Sequence, residues 1–308
     1  VIDVMMITMN ESLNVPYSLK ALEGWTNRVF LVDSGSTDGT QEIARSFGAE
    51  VVHHDWPGYA KQKNWGIDNL PFESEWILII DADEVVLPEL RDELLAVARR
   101  AQADAQDVQD AQDEKHAKEE KHAGYYINRY FIFLGKRIRH CGYYPSWNLR
   151  FFRRGQARYE EREVHEHMMV DGEIGYLKGH LEHYDRRGLE ESMAKHNKYS
   201  TLEAREIVRQ MREGSDGTLD AKIFGDPLQR RRWIKHYIYP KLPAKWLFRF
   251  LFMYVLKLGV LDGVTGFRFC LFISAYELLI HLKIIEIQQD LREKEAGLKP
   301  APAGEQSS

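Results

Sequence analysis

The clearest signal along the chain is an apolar run, Trp76 to Ile80, that stops abruptly at Asp81-Ala82-Asp83-Glu84. Such a run reads as a strand buried on both faces, the habit of parallel sheets. Two earlier segments repeat the pattern. Ile2 to Met9 ends in Asn10-Glu11, and Arg28 to Val32 ends in Asp33-Ser34-Gly35-Ser36-Thr37-Asp38-Gly39-Thr40. Helical spacing over Glu11–Glu23 and Gln41–Phe47, a short strand at Glu50–His53 and a helix start near Pro88 fill the intervals, which predicts repeated strand-helix units of an α/β fold. Thr37 or Asp38 is expected to cap the second helix, with Gly35 and Gly39 turning the backbone. Open α/β sheets bind ligands beyond the carboxyl ends of their strands, and three of those ends carry polar clusters.

Asp81 and Asp83 are two residues apart and would share a face on an extended chain. Their repulsion is relieved by a proton or a cation between them, and carboxylate oxygens suit magnesium or manganese. The plainer role for Asp83 and Glu84 is to cap the helix that follows. The turn after the second strand could offer Asp33 or a neighbour to a nucleobase or ribose, or be an ordinary strand-turn-helix corner.

Taken in order, Met9-Asn10-Glu11, then Val32 to Thr40, then Asp81-Ala82-Asp83-Glu84 resembles the family 2 glycosyltransferases of the GT-A fold, over roughly Val1 to Asp185. The segment Asp55-Trp56-Pro57-Gly58-Tyr59-Ala60-Lys61-Gln62-Lys63-Asn64 is similar to bacterial enzymes that build lipopolysaccharide cores and related envelope glycans. The resemblance implies an inverting transferase that takes a sugar from a nucleoside-diphosphate donor, a UDP-sugar first, with Mg2+ or Mn2+ held on the diphosphate by Asp81 and Asp83. It implies a donor site built around Asn10, Glu11, Asp33 and Ser34, with Asp33 facing the base; many relatives carry a second aspartate where this chain has Ser34. A late histidine, His183, would be an extra metal ligand or a structural residue. The Val164-His165-Glu166 step is familiar in the resembling enzymes, which makes Glu166 the candidate general base, with Glu163 and Asp171 behind it; the alternative is a charged surface hairpin.

The chemistry agrees with the residues. Cleaving a sugar-diphosphate bond builds negative charge on the leaving group, which a cation at Asp81 and Asp83 would stabilise. Lys61 or Lys63 could add to that stabilisation, or belong to a solvated helix face. Tyr144 to Phe152 is an aromatic strand that lines the acceptor cleft or packs in the core; within it Trp147 is the acceptor-side candidate, and Arg150 could face the diphosphate. A zinc reading of His165-Glu166-His167 or His180-Leu181-Glu182-His183 lacks the helical His-Glu-x-x-His order.

The 308 residues, 44% hydrophobic and 29% charged, can bury one large domain with an appendage. A net charge of -5 does not suggest nucleic-acid binding, and two cysteines do not make a disulfide framework. No signal peptide is read ahead of the first strand, and the chain opens on Val1 rather than Met. The expected organisation is a catalytic domain over 1–186, interrupted by a low-complexity insertion at 101–123, then a helical connector over 187–226, then basic, aromatic amphipathic helices and a polar tail over 227–308. Between Pro227 and Leu261 eight Lys or Arg residues alternate with aromatics and no carboxylate intervenes, a mix suited to anionic lipid headgroups. Neither apolar stretch, 246–260 or 267–282, is the roughly 20-residue span a transmembrane helix needs. A membrane-associating appendage is therefore expected, placing the protein peripherally on the cytoplasmic face of the cell membrane beside a glycan or lipid-linked acceptor; the alternative is a helical bundle, and Leu278 to Ile287 could equally serve a homo-oligomer. The competing functions are a metal-dependent nucleotidyltransferase, whose glycine-rich loop is missing after the first strand, and a catalytically inactive membrane-bound glycan-binding or scaffold protein.

Overall fold

The structure, a computed structural model, describes residues 2–104, 122–160, 167–213 and 244–296. The chain forms two compact units: Val1–Arg139 with Tyr143–Arg187, and His140–Gly142 with Gly188–Ser308.

The first unit is built on a nine-stranded sheet among the described residues, in the order β3-β2-β1-β4-β8-β6-β11-β5, with β7 paired to β6. Strands β1 (Ile2–Thr8), β2 (Val29–Asp33), β3 (Glu50–His53) and β4 (Trp76–Ile79) are parallel. Beyond β4 the sheet turns mixed. β8 (Trp147–Arg153) runs antiparallel to β4 and to β6 (His122–Phe133), β11 (Glu173–His183) lies parallel to β6, and β5 (Glu84–Val86) closes the edge antiparallel to β11. The short β7 is Lys136–Ile138, and β9 (Ala157–Tyr159) and β10 (Met168–Val170) form a separate hairpin. This mixed sheet flanked by helices is the GT-A arrangement that the sequence resemblance implied.

The apolar runs are buried on both sides because the sheet has a core on each face. Ile2, Val4, Met6, Trp76, Leu78 and Ile80 point to one side, where α1 (Val15–Lys20), α2 (Thr40–Ser46) and α4 (Pro88–Asp104) pack. Met5, Ile7, Ile77 and Ile79 point to the other, which α3 (Tyr59–Asn69) and the β9–β10 hairpin cover. Gly179 of β11 is where α4 comes closest: a Cβ there would lie 2.3 Å from the Leu90 Cα.

Three local expectations change. Helix α1 is shorter than Glu11–Glu23, because the backbone N–H groups of Asn10, Glu11 and Ser12 are held by Ser36, Thr40 and Asp38 of the neighbouring turn. The capping position of α2 is Gly39, at φ 90°, rather than Thr37 or Asp38, although the Asp38 carboxylate still accepts the Thr40 N–H at 3.1 Å. Glu84 starts a strand instead of capping a helix. The low-complexity stretch at 101–123 begins inside α4 and ends inside β6, and residues 105–121 lie outside the described ones.

In the second unit, α5 (Gly188–Glu213) packs on α7 (Gly263–Glu295) through Ala204, Val208, Ile280 and Ile284. The Lys283 ammonium clamps the pair, reaching the Asn197 carbonyl at 2.6 Å and the hydroxyls of Ser200 and Thr201 at 2.8 and 2.7 Å. Ahead of α7 the chain forms α6 (Lys245–Leu251), a π-helical turn (Phe252–Leu256) and a 3-10 turn (Gly259–Asp262). The tripeptide His140–Gly142 is bound here. Asp262 accepts the His140 N–H at 2.8 Å and faces its ring nitrogen at 2.9 Å, the Lys257 carbonyl accepts the Cys141 N–H, and the Cys141 and Cys270 sulfurs meet at 3.5 Å.

Asp3 anchors the opposite end of the sheet from the ligand side. Fully buried, it accepts bonds from Asn27, from the backbone N–H groups of Arg28, Glu73 and Ser74, and from the Ser74 hydroxyl. Burial alone would push its carboxyl up, but the bonds from Ser74, Asn27 and Glu73 outweigh that and hold it below its ordinary value of 3.8. Asp3→Asn is expected to lower the unfolding free energy at neutral pH by about 1–3 kcal/mol, since buried donors lose an anionic acceptor. For a depressed carboxyl the stabilisation is present above the ordinary value and is lost as pH falls through the folded one. The gap between wild type and Asp3→Asn in urea unfolding should therefore hold from neutral pH to near 3.8 and close below it; a gap that persists unchanged well below pH 3.8 contradicts the assignment.

Candidate functional site

The carboxyl ends of β1, β2 and β4 meet along one edge of the parallel half. The Asp33 carboxylate is wholly buried there and is the hub of its turn: Oδ1 accepts from the N–H groups of Gly35 and Ser36 and from Gln41, and Oδ2 from the hydroxyls of Thr8 and Ser36. Burial works against its charge, yet these bonds hold its carboxyl below the ordinary range. Ser34 is tied to the next layer through Gln62, whose amide donates to the Ser34 hydroxyl at 3.0 Å and whose oxygen lies 2.6 Å from the His54 ring. Asn10, at φ 56°, closes the same rim by accepting the Thr37 N–H at 2.9 Å.

Asp81 and Asp83 do not lie on an extended strand. They occupy a turn between β4 and β5, closed by the Glu84 N–H donating to the Asp81 carbonyl at 2.9 Å, and their side chains take different partners. Asp81 meets two cations: Arg150 donates to it at 2.5 Å and the Lys63 ammonium sits 3.3 Å away. Burial opposes the Asp81 charge, but Arg150 and Lys63, with Arg129 behind them, hold its carboxyl well below the ordinary range. Glu84, with no exposed surface, accepts from Arg150 at 3.0 Å and Arg129 at 3.1 Å. Three cations thus face two carboxylates, a surplus of positive charge suited to an anionic ligand. Lys63 also lies 5.1 Å above the Tyr159 ring, and α3 is locked by the Asn64 amide, which bonds the Tyr159 backbone in both directions. Lys61, on the same helix, is exposed.

Asp83 belongs to a second group. Its Oδ1 is 3.5 Å from His183 Nδ1, a buried nitrogen with no hydrogen-bond partner, and the His183 ring stacks on Phe131. Nearby, Glu11 accepts from Asn14 at 2.8 Å and pairs with Arg187 at 3.0 Å, while Arg187 also grips Asp185 at 2.7 Å. Burial, against the pull of Asn14 and Arg187 and with help from the Asp83 and Asp185 charges, pushes the Glu11 carboxyl up to about 7.

An orphaned imidazole nitrogen beside a carboxylate is the donor chemistry a hard-to-borderline divalent cation accepts. Among the described residues no three His, Cys, Asp or Glu groups converge as a complete metal cage. The residues present fit an ion that takes its remaining ligands from substrate phosphates and water, as magnesium commonly does.

Trp147 stands at the start of β8, 41% exposed, three residues before Arg150. Glu160 and His167 close the β9–β10 hairpin, the Glu160 N–H donating to the His167 carbonyl at 2.9 Å; the candidate bases Glu163 and Glu166 lie outside the described residues. Asp171 is exposed just beyond β10. Sequence reading missed Arg129, Arg187 and Asp185, whose roles depend on partners more than 40 residues away and leave no local pattern. Glu84 was in view beside the aspartates, and the apolar Val85-Val86-Leu87 that follows it was the available signal.

The chain matches the model of glycosyl transferase family 2 over residues 3–182. It is 30% identical over 218 residues to the lipopolysaccharide core biosynthesis glycosyltransferase LpsC of Rhizobium meliloti (strain 1021), a match covering 66% of this chain and 70% of that protein. Among solved structures, the mannosyltransferase PcManGT of Pyrobaculum calidifontis, in complex with GDP-Man and Mn2+, is 15% identical with a TM-score of 0.47, covering 92% of this chain and 86% of that one. Glucosyl-3-phosphoglycerate synthase of Mycobacterium tuberculosis, bound to Mn2+, UDP and glucosyl-3-phosphoglycerate, is 23% identical with a TM-score of 0.25, covering 28% of this chain and 34% of that one. With more than half of its length inside the family model, the chain belongs to glycosyl transferase family 2.

Proposed function

We propose that the protein transfers a sugar, with inversion, from a nucleoside-diphosphate donor to a lipid-linked or envelope-glycan acceptor at the cytoplasmic face of a membrane. The observation that carries the reading is the pair of buried cations, Arg150 and Lys63, held at the end of β4 beside the Asp83 and His183 pair. Fixed positive charge in a poorly solvated site stabilises the diphosphate as it departs and requires no reorganisation during reaction. UDP is the first candidate nucleotide, and the base would rest against the rim formed by Asn10, Asp33 and Ser34.

Mg2+ or Mn2+ would be held by Asp83 and His183, with Asp81 as a further carboxylate, and would supply Lewis-acid neutralisation of the diphosphate. Arg150 and Lys63 would orient the phosphates, while Asp81 keeps both cations in place. Glu166, with Glu163 behind it, takes the proton from the acceptor hydroxyl as that oxygen attacks the anomeric carbon. Similarity to a lipopolysaccharide core enzyme supports an envelope glycan as acceptor.

The second unit supports the membrane location. Its π and 3-10 turns and the first turn of α7 present apolar side chains to solvent: Leu256 is 71% exposed, Leu261 63% and Val264 66%. Lys257 and Arg268 are exposed beside them, whereas the nearby carboxylate, Asp262, is turned inward to His140 with its side chain 6% exposed. Exposed apolar surface with a basic rim suits shallow insertion into an anionic leaflet. No described helix is long and apolar enough to cross a membrane.

Three measurements test these assignments. With UDP-sugars and GDP-mannose in turn, nucleoside-diphosphate release should require Mn2+ or Mg2+, stop on chelation, and fall by about 100-fold or more in Asp83→Asn; equal turnover with and without chelator defeats the metal role. Glu166→Gln, which keeps shape and removes basicity, should slow sugar transfer by about 100-fold or more, and near-normal transfer by a folded variant removes Glu166 as the base. The protein should float with vesicles containing anionic lipid and sink when Leu256 and Leu261 are both changed to Glu; wild-type protein that stays at the bottom of the gradient rules out the membrane location.

A further inference from the structure

The opposite half of the sheet carries an aromatic surface that the donor chemistry does not use. Cross-strand partners point to the same face of a sheet, and the pairings Tyr126↔Tyr176, Tyr126↔Leu149 and Asn128↔Trp147 put Tyr126, Tyr176 and Trp147 on one face of β6, β8 and β11. Tyr176 stacks on Tyr126 with ring centroids 5.1 Å apart and planes at 21°, and Trp147 meets Tyr176 edge-on at 5.1 Å and 89°. The two outer rings form a right-angled corner, yet Tyr176 is 62% exposed and Trp147 41%.

Rings fixed by each other and left open to water are an unusual use of apolar surface, and such patches mark ligand sites. A pyranose ring is matched to this surface: one of its faces presents C–H groups that sit on the electron-rich face of an aromatic ring, while its hydroxyls stay in water at the edge. The corner is also continuous with the site already described. Trp147 lies three residues from Arg150 along β8, about 10 Å at strand spacing. Tyr126, Met168 and Val170 pack against the core cluster that holds Tyr159, so the corner borders the β9–β10 hairpin.

We infer that Trp147 and Tyr176, backed by Tyr126, form an acceptor subsite that holds a pyranose ring of the glycan by stacking. The assignment rests on the transferase reading proposed above and adds to it two residues that select a sugar acceptor over a small polar alcohol or water. Tyr176 sits beyond the polar motifs and nothing local in the sequence marks it; only the register of β6 with β11 brings it to Trp147.

The test is saturation-transfer NMR on the full chain with methyl α- and β-glucopyranoside, mannopyranoside and galactopyranoside as probes. Wild type should transfer saturation to the ring C–H protons of at least one probe. Tyr176→Leu and Trp147→Leu, which keep apolar bulk and remove the aromatic face, should reduce that transfer at least fivefold, while Tyr176→Phe and Trp147→Phe should retain it. Wild type that contacts none of the probes, or Leu variants with unchanged transfer, overturns the subsite. So does light scattering that shows a wild-type dimer broken by Tyr176→Leu without any pyranoside contact, since a second copy would then be the occupant. Nucleotide-sugar hydrolysis by wild type is measured in parallel: its absence together with ring-dependent pyranoside contacts fails the transferase reading and leaves the subsite standing, whereas hydrolysis without such contacts fails the subsite alone.

Discussion

The first unit is organised around the desolvation of charge at the end of β4. Arg150 and Glu84 have almost no contact with water, and charges removed from water are tolerated only when their partners are in place. The partners come from five elements: Arg150 from β8, Arg129 from β6, Glu84 from β5, Lys63 from α3, and Asp81 from the turn after β4. One set of ion pairs therefore joins the parallel half of the sheet to the mixed half. The geometry that brings Arg150, Arg129 and Lys63 together is the same geometry that pairs them with Asp81 and Glu84, so the cluster is preorganised as a by-product of satisfying its own burial.

The division of labour between the two aspartates follows from the same constraint. In an extended strand both would have faced one ligand. The turn that closes at Glu84 rotates them apart, and Asp81 is drawn to Arg150 and Lys63 while Asp83 is left beside His183. One carboxylate orders the protein's cations, and the other remains available to a cation from solution.

Much of this was legible in the sequence where it was local. The apolar runs of β1, β2 and β4, the polar clusters at their ends and the helix following Pro88 announce themselves by composition and spacing, because strands covered on both faces cannot carry polar residues except where they stop. The mixed half was harder. β5 is three residues long, and β11 alternates in burial but fills two of its inward positions with Gly175 and Gly179, so neither shows the apolar-polar alternation that marks a half-buried strand. The cap of α2 and the true length of α1 were misread for one reason: side chains of the 36–40 turn serve the backbone of residues 10–12, a bond between two distant loops that no local pattern encodes. Lys61 and Lys63 show the same limit, since helical phase separates an exposed cation from a buried one only when the helix is placed on its sheet.

The tripeptide His140-Cys141-Gly142 gives the architecture an unexpected topology. The chain passes between its two units after Arg139, again after Gly142 and a third time after Arg187, so the second unit is assembled from two separate stretches of sequence. Cutting at residue 187 would strip the tripeptide of the Asp262 carboxylate, the Lys257 carbonyl and the Cys270 thiol, leaving two backbone donors and a buried sulfur without the surroundings they fold against. A protein ending at residue 187 would therefore lose the partners of the 140–142 loop together with the helices, and a deletion would report on both at once.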